Sequence, residues 1–581
     1  FVFKSLFTLH FAPGFYAATL DSGVRAELTV GPKSAVHRYR FPKHANARLV
    51  VDFSLGGLAI PHSATTPLRA HLELVSPGVA QGTIVVEGAP LSIYVECDAE
   101  SWRQMLWYDR RLMPGGTRLD FDHIRPTTLR PFGLMWAGAS SEDHTVELRI
   151  GFTDCGTSSR RFDSRRERTQ EAWRRHLDAI TIETPSAERE TVFSTALYHS
   201  LIKPCLAPGE SPFWPSEGPF VFDISTMWDI YRTQLPLLGA LYPERAVELA
   251  NALLTIAEEE GNFPIGYRMA VGSDRFSRQG SALAHTFLAD LCQRGVTGID
   301  WEWALVHMHN DLRRTYGEDF LLRGEAHPIS HTLDIAFAYW CTAKVAHVVG
   351  DHALVEEFTR LAERWANAYD TETGLLRDST FYEGSKHNYS FRVQHDMAAR
   401  IALAGGDEGY LALADAFFGY GAEPVTQPGV APGTAELHYA GRPDRTAEIV
   451  HHIVHQQFGV GRGGLPGNDD SGGLSSWYVW ASLGVFPAAG QNLFFVNAPS
   501  FRRAEIAVVG GRFLIETEGF VEPEAGGAVQ YVQSAALNGL PLERSWISGD
   551  EFHGGGTLTV RLGAEPTDWG RRDRPPSHPQ A

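Results

Sequence analysis

The sequence predicts a multidomain α+β protein with an N-terminal antiparallel β-sandwich, a central toroid of helical hairpins and a small C-terminal β region. Three observations predict it. Up to about residue 155 the chain shows short alternating runs between Gly- and Pro-bearing turns, and no helical period. After Pro185 apolar residues recur at helical spacing, and long loops rich in Trp, His, Asp and Gly join the helical segments. Beyond residue 498 alternation returns. The boundaries read 1–158 for the sandwich, 159–185 for a linker helix and strand, 186–498 for the helical region and 499–570 for the C-terminal β region. The Arg- and Pro-rich end, 571–581, reads as disordered.

Strand alternation is clear at Arg25-Ala26-Glu27-Leu28-Thr29-Val30 and at Glu147-Leu148-Arg149-Ile150, while Leu49-Val50-Val51 reads as a buried strand run. Glu167 to Ala179 is a charged helix, and Ile180-Thr181-Ile182-Glu183 a strand. Pro243 stands where a first helical turn tolerates it. Ala246, Leu249, Leu253 and Ile256 then share one face, and Gly261-Asn262 closes the segment. Leu354, Phe358, Leu361 and Trp365 repeat that pattern. Further helices are expected at 282–291, 335–349, 411–418, 446–457 and 474–483. In the tail, 512–516 and 557–560 alternate, and Asn538-Gly539 is a hairpin turn signal.

The chain has 581 residues, too many for one core. It carries 51 basic and 69 acidic residues, a net charge of −18, which argues against nucleic acid as a partner. One basic run, Arg160, Arg161, Arg165, Arg166, Arg168, Arg174 and Arg175, is interrupted by acidic residues and reads as a solvated helix face. No stretch approaches the roughly 20 apolar residues of a membrane span. The cysteines at 97, 155, 205, 292 and 341 show no disulfide or metal spacing. The chain opens on Phe1 without a charged n-region, so this end does not reveal a compartment.

Chemistry concentrates in four segments. From Gly464 to Trp480, Asn468, Asp469 and Asp470 lie between glycines at a helix start. A carboxylate there would be held ionised by backbone N–H groups and the helix dipole, as a general base requires; simple N-capping is the competing reading. Met227 to Arg232 offers Trp228 as a sugar-stacking face, with Asp229 and Arg232 as bidentate partners for hydroxyls. A buried Asp–Arg pair is the alternative there. From Phe381 to Tyr389, running on to Gln394, His395 and Asp396, Glu383 is a carboxylate among aromatics, the setting of a general acid. A structural Glu competes with that reading. The fourth segment, Gly266 to Arg275, holds Tyr267, Arg268 and Asp274 and reads equally as an ordinary loop.

Pro466 to Pro487 resembles the signature of glycoside hydrolase family 92, as do Trp228 to Arg232, Tyr439 to Pro443 and His395-Asp396, in the family's order. The likeness runs from Pro13 to Trp569. It implies an inverting exo-α-mannosidase that hydrolyses terminal α-mannosyl residues, needs Ca2+, and joins an N-terminal β-sandwich to an (α/α)6 barrel. Carried onto this chain, Asp470 matches the general base, with Asp469 beside it. Glu383 is the one carboxylate in the segment that supplies the acid. Trp228, Asp229, Arg232, Asn468, His395 and Asp396 are implied in substrate binding, and Asn388 as a calcium ligand. Mannose-containing glycans or glycoproteins are the implied partners, for a monomer that is secreted or periplasmic.

Three departures set this chain apart. Asn388 stands where many members carry Glu or Gln, and His387 replaces a usual Trp. A His-Glu-Pro-Ser run of the α-1,2-mannosidases has no counterpart in Gln427 to Thr434. The family's opening Gly-rich segment would lie before Phe1. These departures keep two alternatives open: a mannosyl-phosphodiester hydrolase lacking a strong general acid, and a non-catalytic mannan-binding relative.

Overall fold

Alternation along Asn46–Asp52 buries Ala47 and Leu49 and turns Asn46, Arg48 and Val50 outward. Val50 is 42% exposed, so this strand is not the doubly buried run its apolar composition suggested. An antiparallel sheet with one solvated face needs only every second residue to be apolar. The computed structural model describes residues 6–43, 46–54, 69–86, 89–122, 130–139, 142–152, 162–211, 213–215, 217–224, 226–268, 272–274, 280–313, 317–419, 436–522 and 527–577.

The chain divides into two compact units, residues 1–178 with 269–271, and residues 179–268 with 272–581. In the first unit, strands Leu6–Ala12, Phe15–Leu20, Arg25–Gly31 and Ser34–Phe41 form an antiparallel meander at one side of a nine-stranded sheet. His144–Phe152 joins that meander to Ala89–Cys97, Val79–Val86, Arg69–Ser76 and Arg118–Asp122. A four-stranded sheet runs Arg111–Met113, Arg103–Tyr108, Phe132–Ala139, Asn46–Asp52. Leu72, Val95 and Leu148 of the larger sheet share one core with Leu106, Leu134 and Trp136 of the smaller, which makes the pair a sandwich.

The charged helix spans Phe162–Leu177 and buries only Phe162. Arg38 pairs with Asp163 at 2.7 Å and with Glu147 at 2.9 Å, and the Arg166 guanidinium lies 3.8 Å over the Phe15 ring. Arg174 and Arg175 pair with Glu171 on the solvated face. Arg160 and Arg161 lie outside the described residues, as do Cys155 and Gln427 to Thr434.

The second unit carries the helices. Pro243–Glu260 begins on its proline and ends on Gly261, whose φ of 86° supplies the left-handed cap. The helices Ala284–Gln293, His331–Val349, His352–Ala362, Gly406–Phe418, Pro443–Gln456 and Gly473–Leu483 fall on the expected segments. Leu249, Leu253, Phe287, Leu333, Phe358 and Trp365 belong to one buried core. Residues 180–183 pair with 503–508 in a six-stranded sheet, where 511–518 runs parallel to 556–563. Asn538 and Gly539, at φ 51° and 79°, turn the hairpin of Tyr531–Leu537 and Leu540–Leu542.

The C-terminal end departs from the disorder expected for 571–581. Arg574 forms an ion pair with Asp407 at 2.6 Å, Arg571 lies 3.5 Å from Asp444, and Ser577 Oγ accepts from the Ala398 N–H at 2.9 Å. Arg–carboxylate forks supply the anchoring that apolar content does not. Residues 578–581 lie outside the described residues. Among the described residues Cys97, Cys205, Cys292 and Cys341 are unpaired, and no helix is long and apolar enough to cross a membrane.

Trp136 is fully buried between the two sheets. Trp136→Ala is expected to cost about 3–5 kcal/mol, read as a lower urea midpoint of the sandwich's unfolding transition in the full chain.

Candidate active site

The site grows from a turn that meets a short helix. In the turn before Gly473–Leu483, Asp470 and Ser471 have φ of 49° and 60°, and Gly472 has φ 92°. Two consecutive non-glycine residues in the left-handed region are costly and persist only where the surroundings impose them. The surroundings are plain here. A Cβ on Gly472 would stand 2.9 Å from the Ser200 Cα, and one on Gly473 would stand 3.0 Å from the Asp229 Cβ. Glycine at 473 lets the turn close onto the segment Met227–Ile230, and glycine at 472 lets it close onto the end of the helix Ala187–Ser200.

Hydroxyls lock the contact. Thr226 Oγ1 donates to the Asp470 carbonyl at 2.9 Å, and Thr233 Oγ1 to the Gly473 carbonyl at 3.1 Å. Ser476 Oγ donates to Thr233 Oγ1 at 2.8 Å, and Trp480 Nε1 to the Thr233 carbonyl at 3.0 Å.

The two aspartates of the turn do different work. Asp469 Oδ1 accepts from the Ser475 N–H at 2.9 Å and from Ser475 Oγ at 2.6 Å, so Asp469 caps the helix. Its Oδ2 lies 3.9 Å from His199 Nδ1. Among the described residues the Asp470 carboxylate has no hydrogen-bond partner. Burial, then the charges of Asp469 and Glu383, push its pKa up. This corrects the expectation that backbone N–H groups and the helix dipole hold Asp470 ionised: the cap belongs to its neighbour. Asn468 is exposed on the same turn.

Asp229 faces both of the other carboxylates. Its Oδ2 is buried without a hydrogen-bond partner, and its pKa is pushed up to about 8. Burial is the main cause and Asp470 and Glu383 add repulsion, against the attraction of Arg392 and a bond from Thr226. Glu383 also sits in the left-handed region, at φ 49°. Its side chain is exposed rather than enclosed by aromatics, so the desolvation expected of a general acid is missing. Among the aromatics around it, Tyr382 is exposed, and Phe381 stacks on Tyr389 at 5.5 Å instead.

Trp228 is half-buried against the helical core. Gly280 passes beside it, with a notional Cβ 3.1 Å from the Trp228 Cβ and 3.3 Å from Asp334 Oδ2. Arg232 Nε and Nη2 donate to Gln394 Oε1 at 2.7 and 2.5 Å, the amide being oriented with its oxygen toward the guanidinium.

The remaining sequence candidates are bound into the scaffold. His395 stacks between Phe337 and Trp340, at ring distances of 5.5 and 6.0 Å, with Nε2 3.3 Å from the Ala362 carbonyl. Asp396 accepts from Trp365 Nε1 at 3.0 Å and caps Met397–Leu403. Asn388 Oδ1 accepts from the Ser385 N–H and Oγ at 2.9 and 3.1 Å, closing a capping box on Lys386–Tyr389. Tyr267 is fully buried and its backbone bridges to Ile224; the side chains of Arg268 and Asp274 lie outside the described residues.

Two residues that sequence reasoning did not select join the site. Arg392 Nη1 lies 3.5 Å from Asp334 Oδ1, with Asp334 buried and Arg392 partly so. A lone Asp in the apolar run His331–Trp340, and an Arg between Phe391 and Val393, carried the signal: charges in apolar stretches are rarely buried unless paired.

Among the described residues no three His, Cys, Asp or Glu side chains converge to hold a metal ion, and the Asn388 oxygen is committed to its cap.

The profile of the Glycosyl hydrolase family 92 catalytic domain matches residues 153–564, and that of the family 92 N-terminal domain matches residues 8–102. The chain belongs to glycosyl hydrolase family 92. Two solved family 92 structures from Bacteroides thetaiotaomicron share its fold. One is an α-mannosidase, with TM-score 0.85 and 20% identity, the match covering 99% of this chain and 84% of that one. The other is an inverting mannosidase, with TM-score 0.83 and 19% identity, the match covering 98% and 86%. An uncharacterized secreted glycosidase of Arthroderma benhamiae is 24% identical, over 97% of this chain and 81% of its own length. As a family 92 member the chain is a glycoside hydrolase, and its sandwich, helical region and C-terminal sheets follow the family's architecture.

Asp229 ionises in the fold only near pH 8, against an ordinary 3.8. Between these values the native chain holds this proton more tightly than the unfolded chain does. The stability contribution is full below the lower value and lost as pH rises through the upper. Asp229→Asn abolishes that loss. Its Tm relative to wild type is therefore expected to climb across about pH 4 to 8, read by calorimetry.

Proposed function

We propose that this family 92 glycosidase is a secreted, inverting exo-α-mannosidase with Asp470 as general base. The supporting observation is the division of labour in its turn. Asp469 takes the capping bonds, and the Asp470 carboxylate is left unbonded beside Asp229 and Glu383. Asp470, raised in basicity and aligned by a strained turn, takes a proton from water. That water attacks the anomeric carbon from the face opposite the leaving oxygen, and the configuration inverts. Glu383 supplies the proton to the leaving oxygen. Trp228 offers an apolar face to the sugar ring, while Asp229 and Arg232 meet its hydroxyls. Mannose-bearing glycans or glycoproteins are the substrates and the chain acts as a monomer.

Calcium dependence is part of the same proposal and rests on family membership. A hard cation would supply oxygen coordination to sugar hydroxyls. No step above passes through it. Secretion is supported by the similarity to the secreted glycosidase of Arthroderma benhamiae.

The Asn388 capping box favours a second reading. An amide held as a helix cap donates no proton to a leaving alcohol, and Glu383 is exposed. A leaving phosphate monoester needs no such proton, so mannosyl-phosphodiesters fit a site without a strong acid.

Asp470→Asn is expected to lower kcat on the preferred substrate by about 10²–10⁴-fold with the fold intact by circular dichroism. Unchanged turnover removes Asp470 from the base role. Mannose release from α-1,2-mannobiose and from mannose-1-phospho-6-mannose, each with calcium and with EDTA, separates the readings. Cleavage of the disaccharide is expected on the first, cleavage of the phosphodiester alone on the second. Loss of either activity in EDTA, restored by calcium, is the expected metal response.

A further inference from the structure

The side chains of His395 and Asp396 are taken by the scaffold, but that of the glutamine before them reaches a residue of the site. Gln394 is buried, and its Oε1 accepts from both Nε and Nη2 of Arg232, at 2.7 and 2.5 Å. Two donors on one edge of a guanidinium, converging on one oxygen, fix the plane of the fork and its last torsion. The acceptor is a neutral amide, so Arg232 keeps its full charge for the oxygens of a ligand.

Gln394 can fix Arg232 because it is itself fixed. Just after it in the chain, His395 stacks between Phe337 and Trp340, and Asp396 accepts from Trp365 Nε1 at 3.0 Å. The Gln394 carbonyl accepts from Gln491 Nε2 at 2.9 Å. Gln491 Oε1 in turn accepts from the Tyr439 hydroxyl at 3.3 Å. Tyr439 is buried, and Arg574 of the anchored C-terminal end donates to its carbonyl at 3.3 Å. The motif from Tyr439 to Pro443, which the proposed chemistry leaves unused, thus supplies the outer end of a hydrogen-bonded chain that ends on Arg232.

The other end of the arginine is held separately. Tyr231 and Thr233 are buried on either side of it, and the Thr233 carbonyl accepts from Trp480 Nε1 at 3.0 Å. The base of the side chain therefore belongs to the helix that follows the Asp470 turn, and its head to the segment 393–396.

We propose that Gln394 is a positioning residue that sets the Arg232 guanidinium for sugar hydroxyls, and that Gln491 and Tyr439 hold Gln394 in place. The inference rests on the glycosidase reading above, in which Arg232 meets the substrate. Gln394 touches no reacting atom. A loosely held arginine loses rotamer freedom when it meets a ligand; this one has lost it on folding. A role in packing alone would carry the same penalty whatever stands at position 232. A role through Arg232 disappears once the arginine is gone.

The test uses the full chain with Gln394→Leu, Gln491→Leu, Tyr439→Phe and Arg232→Met, and Arg232→Met combined with each of the first two. With calcium present, kcat and KM are measured on α-1,2-mannobiose and mannose-1-phospho-6-mannose, and Kd for mannose by titration calorimetry. Gln394→Leu is expected to raise KM and the mannose Kd about tenfold, with kcat within about threefold of wild type. Gln491→Leu is expected to raise both about threefold, and Tyr439→Phe by less. In the Arg232→Met background, Gln394→Leu is expected to leave kcat/KM and Kd unchanged. An unaltered KM and Kd in folded Gln394→Leu, or a loss that persists in the Arg232→Met background, overturns the proposal. If Gln394→Leu does not fold, Gln491→Leu and its combination with Arg232→Met decide by the same criterion. A wild type that binds mannose but cleaves neither substrate sinks the glycosidase reading, and the mannose Kd values then decide the positioning role. A wild type that neither cleaves nor binds overturns both.

Discussion

The contact between the Asp470 turn and the segment 226–233 is the constraint from which the rest of the site follows. Neither side forms the site alone. The turn holds Asp470 in a backbone conformation that an isolated chain avoids, and the segment is a short helix with too few internal bonds to stand by itself. Thr226, Thr233 and Ser476 join them through hydroxyls, each bond replacing one that water would otherwise make. Gly472 and Gly473 are the permissive half of the arrangement. A side chain at 473 would meet Asp229, and one at 472 would meet Ser200. The glycines that flanked the aspartates in the sequence are thus part of the site's geometry, not merely loop residues.

Bringing three carboxylates together has an electrostatic cost, and the structure meets it unevenly. Glu383 stays exposed, where water screens it. Asp470 is half-buried and Asp229 more deeply buried, and the carboxyl most cut off from water is the one driven furthest toward its neutral form. Arg392 offsets part of this, but Asp334 claims much of the same charge. At neutral pH the cluster is therefore not three equivalent anions. Asp229 is pushed up to about 8, mainly by burial, and Asp470 is raised by burial first and then by the charges of Asp469 and Glu383.

Much of the fold was legible because it follows from periodicity. The helices at 243–260, 331–349 and 473–483 announce themselves by spacing, by Pro243 and by the glycines that end them. The strand Asn46–Asp52 was misread as doubly buried because composition alone does not say which side of a sheet meets water. The C-terminal arginines were misread because their anchors, Asp407 and Asp444, lie more than a hundred residues away in sequence. Local composition carries no trace of such partners.

The site was legible at the level of segments and less so at the level of roles. Adjacent aspartates at a helix start are chemically alike on paper. Which one caps is decided by where Ser475 stands once the helix forms, and it is Asp469 that the serine reaches. Asn388 looked like a ligand because its amide oxygen is a hard donor; three residues back, Ser385 makes the same oxygen a cap. His395 and Asp396 belong to a recognisable motif, yet one is held in an aromatic stack and the other by an indole N–H. A motif marks which positions matter to a fold that performs a reaction. Only the hydrogen-bond inventory separates the side chains that hold the site from those left with an unspent oxygen to face the substrate. By that measure Asp229 and Asp470 keep oxygens without a hydrogen-bond partner among the described residues, while those of Asp469, Asn388 and Asp396 are occupied by the scaffold.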